Sequence, residues 1–309
     1  MLTPYLSVVI PIYNEAGNLY PLYDRLTSAL DKLNKSYEVI LTNDGSTDHS
    51  YQILKELHQR RPQQIRVIDF NGNFGQHTAI MAGFAQVRGE VVVTLDADLQ
   101  NPPEEIEKLL AAYEAGFDCV GGARQNRQDS WFRRYASKLN NRIRFALTNI
   151  KMTDQGCMLR AYSRRIVDLM VQSHESSAYI PALAYSFATN PTEVPVEHSA
   201  REVGQSKYNL YKLLRLNFDI MTGFSLIPLQ LFTMIGMGVS LMSSILVVVL
   251  IVRRLIIGPE VGGVFTLFAI MYFLIGIVLM GLGIVGEYIG RIYQDNRKRP
   301  PYVIRETLG

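Results

Sequence analysis

The stretch Val91-Val-Val-Thr-Leu-Asp-Ala-Asp-Leu-Gln-Asn-Pro-Pro103 decides the fold, because an apolar, β-favouring run stops abruptly in two carboxylates and an amide. A continuous apolar run of this length reads as a buried strand of a parallel sheet, and open α/β sheets bind ligands just beyond the carboxyl ends of such strands. Asp96, Asp98 and Gln100 are then at the mouth of a site. Hard oxygen ligands so close together suit Mg2+ or Mn2+, with substrate phosphates completing the coordination shell. Taken alone, Asp-x-Asp reads equally well as a solvated turn. The prolines that follow open a helix, and Glu104, Glu105 and Glu107 near its positive end read as structural.

Working outward, strand and helix patterns alternate. Leu6 to Ile12 reads as a strand and Asn18 to Leu33 as a helix; Tyr37 to Leu41 is a second strand, ending in Asn43-Asp-Gly-Ser-Thr-Asp48 before a helix to Leu57. Ile65 to Phe70 and Phe117 to Ala123 are further strands, Gly75 to Val87 and Ser163 to Met170 further helices, and Glu193 to His198 an alternating strand. This spacing predicts an α/β domain with a mostly parallel, doubly wound sheet. A dinucleotide site requires G-x-G-x-x-G after the first strand; Pro11-Ile-Tyr-Asn-Glu15 stands there instead, which disfavours a nicotinamide or flavin enzyme. The strand ends carry acids, Glu15, Asp44 and the pair Asp96 and Asp98, while the fifth strand delivers Arg124 to the same edge. A carboxylate there can accept hydrogen bonds from a nucleobase imide or ribose hydroxyls. Asp48 reads as a helix cap, and Asp154, in Thr153-Asp-Gln-Gly-Cys157, as a turn former.

The formal net charge of the 309 residues is +3, too small to argue for nucleic acid, but the cations cluster at Arg124 to Arg144, Lys207 to Arg215 and Arg291 to Arg305. The cysteines, Cys119 and Cys157, have no metal-ligand spacing and read as reduced thiols on the cytoplasmic side. The first apolar run is too short for a signal peptide. Ile220 to Val252 and Val261 to Gly286 contain no charged residue, and each exceeds the roughly 20 residues a spanning helix requires. Two transmembrane helices are therefore expected, at about residues 226–252 and 263–286. The cations after the second run outnumber Arg253 and Arg254 between the runs, which places both termini in the cytoplasm. Trp131 to Arg144 mixes aromatics with cations on an amphipathic helix suited to an anionic membrane surface, and Tyr208 to Asp219 reads as an interfacial helix. The loop from Arg201 to Tyr208 offers two cations that can close over phosphates, or serve as a plain basic linker. His77 and His198 have no acid or serine partner at motif spacing and read as structural or hydrogen-bonding histidines.

Laid out in this way, the chain resembles the family 2 glycosyltransferases, and within them the polyisoprenyl-phosphate glycosyltransferases related to dolichol-phosphate mannose synthase. The resemblance rests on Val9-Ile-Pro-Ile-Tyr-Asn-Glu15, Asn43 to Asp48, Asn73-Phe-Gly-Gln-His77, Leu95 to Glu104, Gly156-Cys-Met-Leu-Arg-Ala-Tyr162 and Gly286-Glu-Tyr-Ile-Gly-Arg-Ile-Tyr293. Arg124 to Arg133 and Gly156 to Tyr162 also look like the undecaprenyl-phosphate 4-deoxy-4-formamido-L-arabinose transferases, and the two-span architecture is similar to bactoprenol glucosyltransferases. The resemblance implies a GT-A domain at 1–207, an interfacial segment at 208–222, a two-helix membrane region at 223–290 and a basic cytoplasmic tail at 291–309. It implies an inverting, metal-dependent transfer from a nucleotide-sugar, with UDP-glucose the first expectation and UDP-4-deoxy-4-formamido-L-arabinose or a GDP-hexose the alternatives, to polyprenyl phosphate at the bacterial inner membrane. By the same resemblance, Pro11, Tyr13, Glu15, Asp44 and Asp96 line the nucleotide site, and Asp96, Asp98 and Gln100 hold the metal. Arg124, Arg133 or Arg134, Arg201 and Lys207 bind phosphates, and Asp98 and Asp154 are the catalytic candidates. A phosphate acceptor has its second pKa near ~6 and needs no strong base, so Asp154 is expected to orient the acceptor or its arginines. A processive polysaccharide synthase calls for a Gln-x-x-Arg-Trp motif, and the single tryptophan, Trp131, stands in another context. A non-enzymatic membrane adaptor would not need Asp96, Asp98 and Gln100 intact. Gly236, Gly238, Gly276, Gly281 and Gly283 permit close helix packing within a chain or in a homo-oligomer.

Overall fold

The computed structural model describes residues 3–124, 152–154, 156–173, 179–198, 227–258, 264–296 and 300–309. Arg133, Arg134, Arg201 and Lys207, the expected amphipathic helix from Trp131 and the expected interfacial helix from Tyr208 lie outside these residues. The chain divides into two compact units, Met1–Asn209 with Arg299–Gly309, and Leu210–Lys298.

The first unit is built on an eight-stranded sheet. Its strands are β1 (Leu6–Ile12), β2 (Tyr37–Asn43), β3 (Ile65–Phe70), β4 (Val91–Thr94), β5 (Cys119–Arg124), β6 (Arg160–Ser163), β7 (Pro191–Val196) and β8 (Ile304–Leu308), in the spatial order β7-β5-β6-β4-β1-β2-β3-β8. β1 pairs in parallel with β2 and β4, β2 with β3, and β5 with β7; β6 and β8 run antiparallel to their neighbours. Every residue of β1 and β2 is buried, which is why their sequences are apolar runs and not alternating ones. At the edge strand β7, Pro191 and Pro195 fall where ladder donors are not all needed.

The helices are α1 (Leu19–Lys32), α2 (Ser50–Arg60), α3 (Gln76–Phe84), α4 (Ile106–Glu114, entered through a short turn at Pro103–Glu105), α5 (Arg164–Gln172) and α6 (Ile180–Phe187). α1 buries Leu19, Leu22, Leu26 and Leu30, a stripe at helical spacing, against the sheet core. Ser163 caps α5, its hydroxyl accepting the Ile166 N–H (3.4 Å).

The tail departs from the expected basic extension. Ile304–Leu308 is the edge strand β8, paired with β3 through Val67↔Leu308, Ile68↔Thr307, Asp69↔Glu306 and Phe70↔Ile304. The unpaired edge that β3 presents offers a row of backbone donors and acceptors, and the alternation Ile-Arg-Glu-Thr-Leu satisfies it.

The second unit contains α7 (Ile227–Ile257) and α8 (Val264–Asn296). Both helices run past the expected apolar limits: α7 continues through Arg253 and Arg254 until Gly258, at φ 94°, ends it with an N–H bond to the Arg254 carbonyl (3.1 Å). Among the described residues one segment is long and apolar enough to cross a membrane, Ile270–Gly290 in α8, with a mean hydropathy of 2.1 and 6% of it buried. Where the helices meet, the Phe232 ring occupies the space a Cβ on Gly281 would fill.

Candidate active site at the carboxyl edge of the sheet

Because β1 to β5 run in one direction and β6 and β8 in the other, the carboxyl ends of β1 to β5 share an edge with the segments entering β6 and β8. Three layers of loop assemble there.

The first is the turn after β1. Pro11 is buried inside the strand, while Tyr13 is 40% exposed. Asn14 takes a left-handed conformation (φ 56°), which asparagine tolerates better than other side-chain-bearing residues. Its Oδ1 accepts the Thr47 N–H (2.8 Å), its own N–H donates to Ser46 Oγ (3.0 Å), and the Glu15 N–H donates to Ser50 Oγ (3.0 Å). Asp48 Oδ1 accepts the Ser50 N–H (2.9 Å) and Oδ2 the Ala16 N–H (3.2 Å), so this carboxylate ties the start of α2, where His49 and not Asp48 is the N-cap, to the first loop. Although burial opposes it, this set of hydrogen bonds holds Asp48 below its ordinary pKa.

The second layer is the turn after β2. Asp44 is buried, and its oxygens accept the N–H groups of Phe74 (2.6 Å) and Gly75 (2.9 Å). Burial raises its pKa and those two bonds oppose the rise. Its charge is thus committed to shaping the 73–75 loop. Gly45, at φ 65°, packs against the Gly72 and Asn73 backbone so closely that any side chain there would collide.

The third layer carries the acids. Gln100 N–H donates to Asp98 Oδ1 (3.2 Å), and Leu99 between them is left-handed (φ 60°), a conformation an L side chain rarely adopts. Gln76, at the start of α3, donates from Nε2 to Asp96 Oδ1 (2.7 Å). Part of Asp96 reaches the surface, yet burial first, and then the Asp98 carboxylate, push its carboxyl up to about 7; Glu15 adds to the rise, and Gln76 and Arg124 oppose it. Two carboxylates in mutual repulsion draw in positive charge. Among the described residues no group of three or more His, Cys, Asp or Glu side chains forms a complete metal cage. The Asp96–Asp98 pair, hard oxygen donors in mutual repulsion, fits a hard cation that takes one or two carboxylates and finishes its shell on phosphate oxygens.

Across the edge, Arg124 and Asp154 form a two-pronged pair, Nε to Oδ2 at 2.6 Å and Nη2 to Oδ1 at 2.8 Å, with both side chains largely buried. The wholly buried Arg160 holds the turn around Asp154, donating from Nη2 to the Asp154 carbonyl (2.7 Å) and from Nε to the Cys157 carbonyl (2.9 Å). Glu193 of β7 accepts the Thr153 N–H and hydroxyl. Cys157 is a free, buried thiol pushed up to about 11 by burial.

Sequence reasoning missed several of these residues. His198 belongs to the edge: burial and then the Arg124 guanidinium hold its pKa below the ordinary value, against the pull of Asp154, Asp98 and a hydrogen bond with the Gln100 backbone. Gln76 and Arg160 lay inside quoted motifs, but no spacing reveals that one reaches Asp96 and the other braces Asp154. Among the described residues His77 Nδ1 is buried without a hydrogen-bond partner, its ring sits edge-on to Tyr179 (5.2 Å), and burial depresses its pKa to about 4.

A mostly parallel α/β sheet with paired carboxylates at its carboxyl edge defines a GT-A-like sugar-transfer domain. The chain belongs to glycosyl transferase family 2, which its residues 7–170 match, and it is a glycosyltransferase. It is 48% identical over 306 residues to the undecaprenyl-phosphate 4-deoxy-4-formamido-L-arabinose transferase of Edwardsiella ictaluri (strain 93-146), covering 98% of this chain and 94% of that protein. It is 49% identical over 306 residues, with the same coverage, to the protein of that name from Serratia proteamaculans (strain 568). Among solved structures, a mycobacterial protein matches the fold with a TM-score of 0.50 at 17% identity, over 71% of this chain and 73% of that one.

Proposed function

We propose that the chain transfers 4-deoxy-4-formamido-L-arabinose from a uridine diphosphate carrier to undecaprenyl phosphate, inverting the anomeric centre. The donor is placed ahead of UDP-glucose because relatives bearing the formamido-arabinose name match 98% of the chain. The reaction is a single displacement: an acceptor phosphate oxygen forms a bond to the anomeric carbon as the bond to the donor diphosphate breaks, and the electron pair leaves on the nucleoside diphosphate.

The observation that carries this reading is the opposition, on one edge, of the Asp96–Asp98 pair and the Arg124–Asp154 pair. Two anions must approach each other for this chemistry, so catalysis lies in charge compensation and alignment. Tyr13, Glu15 and the Pro11 strand end hold the nucleotide, with Asp44 shaping the wall beside it. Asp96 and Asp98, with Gln100, are the residues to hold Mg2+ or Mn2+, which when bound offsets charge on the departing diphosphate. Arg124, together with Arg133, Arg134, Arg201 and Lys207, attracts the acceptor phosphate. Asp154, engaged by Arg124 through both oxygens, fixes that guanidinium and leaves the already ionised acceptor to act without a base.

In the same reading α7 and α8 form a two-span anchor in the bacterial inner membrane, with the catalytic domain and both termini in the cytoplasm. The uncharged runs Ile220 to Val252 and Val261 to Gly286, and the cations beyond the second, support it. The test is transfer by the purified full-length chain, with Mg2+ and undecaprenyl phosphate in detergent micelles. Transfer from UDP-4-deoxy-4-formamido-L-arabinose at a kcat/KM at least about tenfold above that for UDP-glucose is expected. Transfer from UDP-glucose alone overturns the donor assignment, and transfer from neither overturns the whole reading.

A further inference from the structure

The C-terminal segment reaches the nucleotide end of the site by two separate paths. Asp69, at the end of β3, is fully buried; its Oδ2 accepts from Arg305 Nε (2.6 Å) and its Oδ1 from Asn43 Nδ2 (2.7 Å). Asn43 Oδ1 in turn accepts the Ser46 N–H (3.3 Å), closing the turn that contains Asp44. A chain of three hydrogen bonds thus runs from β8 to the turn after β2.

The second path is aromatic. Tyr302 stacks on Phe70 (centroids 5.0 Å apart, rings 14° from parallel), and Phe70 meets Phe74 edge-on at 5.6 Å. The Asn71 N–H donates to the Val303 carbonyl (3.1 Å), and the Phe74 N–H is the group that binds Asp44 Oδ1. The first path therefore ends in the turn that contains Asp44 and the second on Asp44 itself, and Asn73 Nδ2 joins them by donating to the Asp44 carbonyl (3.2 Å). Glu306 secures the strand through Tyr51 and Lys55 (3.1 Å to Lys55), and the Arg305 guanidinium lies 5.4 Å from the Tyr51 ring centroid.

We infer that Tyr302 to Glu306 is a positioning element for the nucleoside diphosphate of the donor, with Arg305 acting through Asp69 and Asn43, and Tyr302 through Phe70, on the two loops that meet at Asp44. The inference rests on the donor nucleotide lying at the β1–β2–β3 end, as proposed above. Arg305 touches no reacting atom. Its work is to neutralise Asp69, so that the buried carboxylate can keep Asn43 turned towards Ser46. A purely structural edge strand would lower stability without favouring one substrate over the other.

The experiment uses the full-length chain in detergent with Mg2+, and reads the Kd for uridine diphosphate by calorimetry, the KM values for donor and acceptor, and Tm. Arg305→Ala is expected to raise the uridine diphosphate Kd and the donor KM about tenfold, the size of one charge-assisted hydrogen bond, and to leave the acceptor KM within about twofold. Arg305→Lys restores most of the loss. Should Arg305→Ala fail to fold, Tyr302→Ala tests the aromatic path, with the same split between donor and acceptor expected. An unchanged uridine diphosphate Kd in the folded variants, or donor and acceptor KM rising together, overturns the positioning role while the nucleotide reading stands. Wild-type chain that binds no uridine diphosphate overturns both.

Discussion

Asp98 and Asp154 share an edge but stand in different surroundings. Asp98 sits beside a left-handed Leu99 with its neighbour Asp96 in electrostatic conflict, whereas Asp154 is gripped by Arg124 through two bonds. Asp98→Asn is expected to lower kcat by about 10²- to 10³-fold, the scale of a removed transition-state electrostatic group, while Asp154→Asn stays within about tenfold of wild type. A pH–rate profile for Asp154→Asn that loses an acid limb present in the wild type would assign Asp154 the base role instead. His77 makes a second prediction. Its folded pKa of about 4 lies below the ordinary 6.5, so the unfolded chain takes up the proton first. The stability tied to its neutral form is complete above pH 6.5 and is lost as pH falls towards 4, by at most roughly 3 kcal/mol. His77→Phe should flatten that limb of a Tm-against-pH curve. The Asp-x-Asp pair and Glu15 were legible in the sequence because each ends an apolar run. His198 and Arg160 were not, since a histidine bonded to the Gln100 backbone and an arginine bracing a carbonyl leave no trace in spacing.

At the scale of elements, β1, β2, β3 and β4 could be read nearly to the residue, because buried parallel strands are written as continuous β-branched and aliphatic runs. β8 could not. Ile304-Arg-Glu-Thr-Leu308 is short and charged, its partner is more than 200 residues earlier, and a basic composition pointed to a solvated tail. Helix ends were also blurred, since charges such as Arg253 and Glu287 continue a helix that an apolar count would end. The contact of α7 with α8 is more specific than the glycine pattern indicated: of the glycines on α8, Gly281 is the one whose missing side chain admits Phe232. Gly281→Leu is expected to overpack that contact by about 1–3 kcal/mol and to lower Tm in detergent, whereas Gly283→Leu, with open space around it, should leave Tm unchanged.

Across the whole molecule the sheet has a working edge and a holding edge. At the holding edge, Glu38 of β2 is buried and takes Ser7 Oγ (2.7 Å), Arg88 Nε (2.9 Å) and, at 3.7 Å, Arg66. Glu38→Ala leaves these groups uncompensated and is expected to cost roughly 3 kcal/mol of stability with the donor and acceptor KM values unchanged. A change in either KM would show that the two edges are coupled. The pairing of β8 with β3 has a consequence of another kind, one of parity. A strand cannot hydrogen-bond to a sheet from the far side of a bilayer, and Arg299–Gly309 belongs to the same compact unit as Met1–Asn209. In the proposed membrane anchor, whatever crosses between those segments crosses an even number of times, a requirement that the pairing of β8 with β3 sets independently of any count of lysines and arginines. Sidedness reporters fused at residue 1 and after residue 309 should agree in every cell, and a pair reporting opposite sides would mean that β8 is not in the sheet.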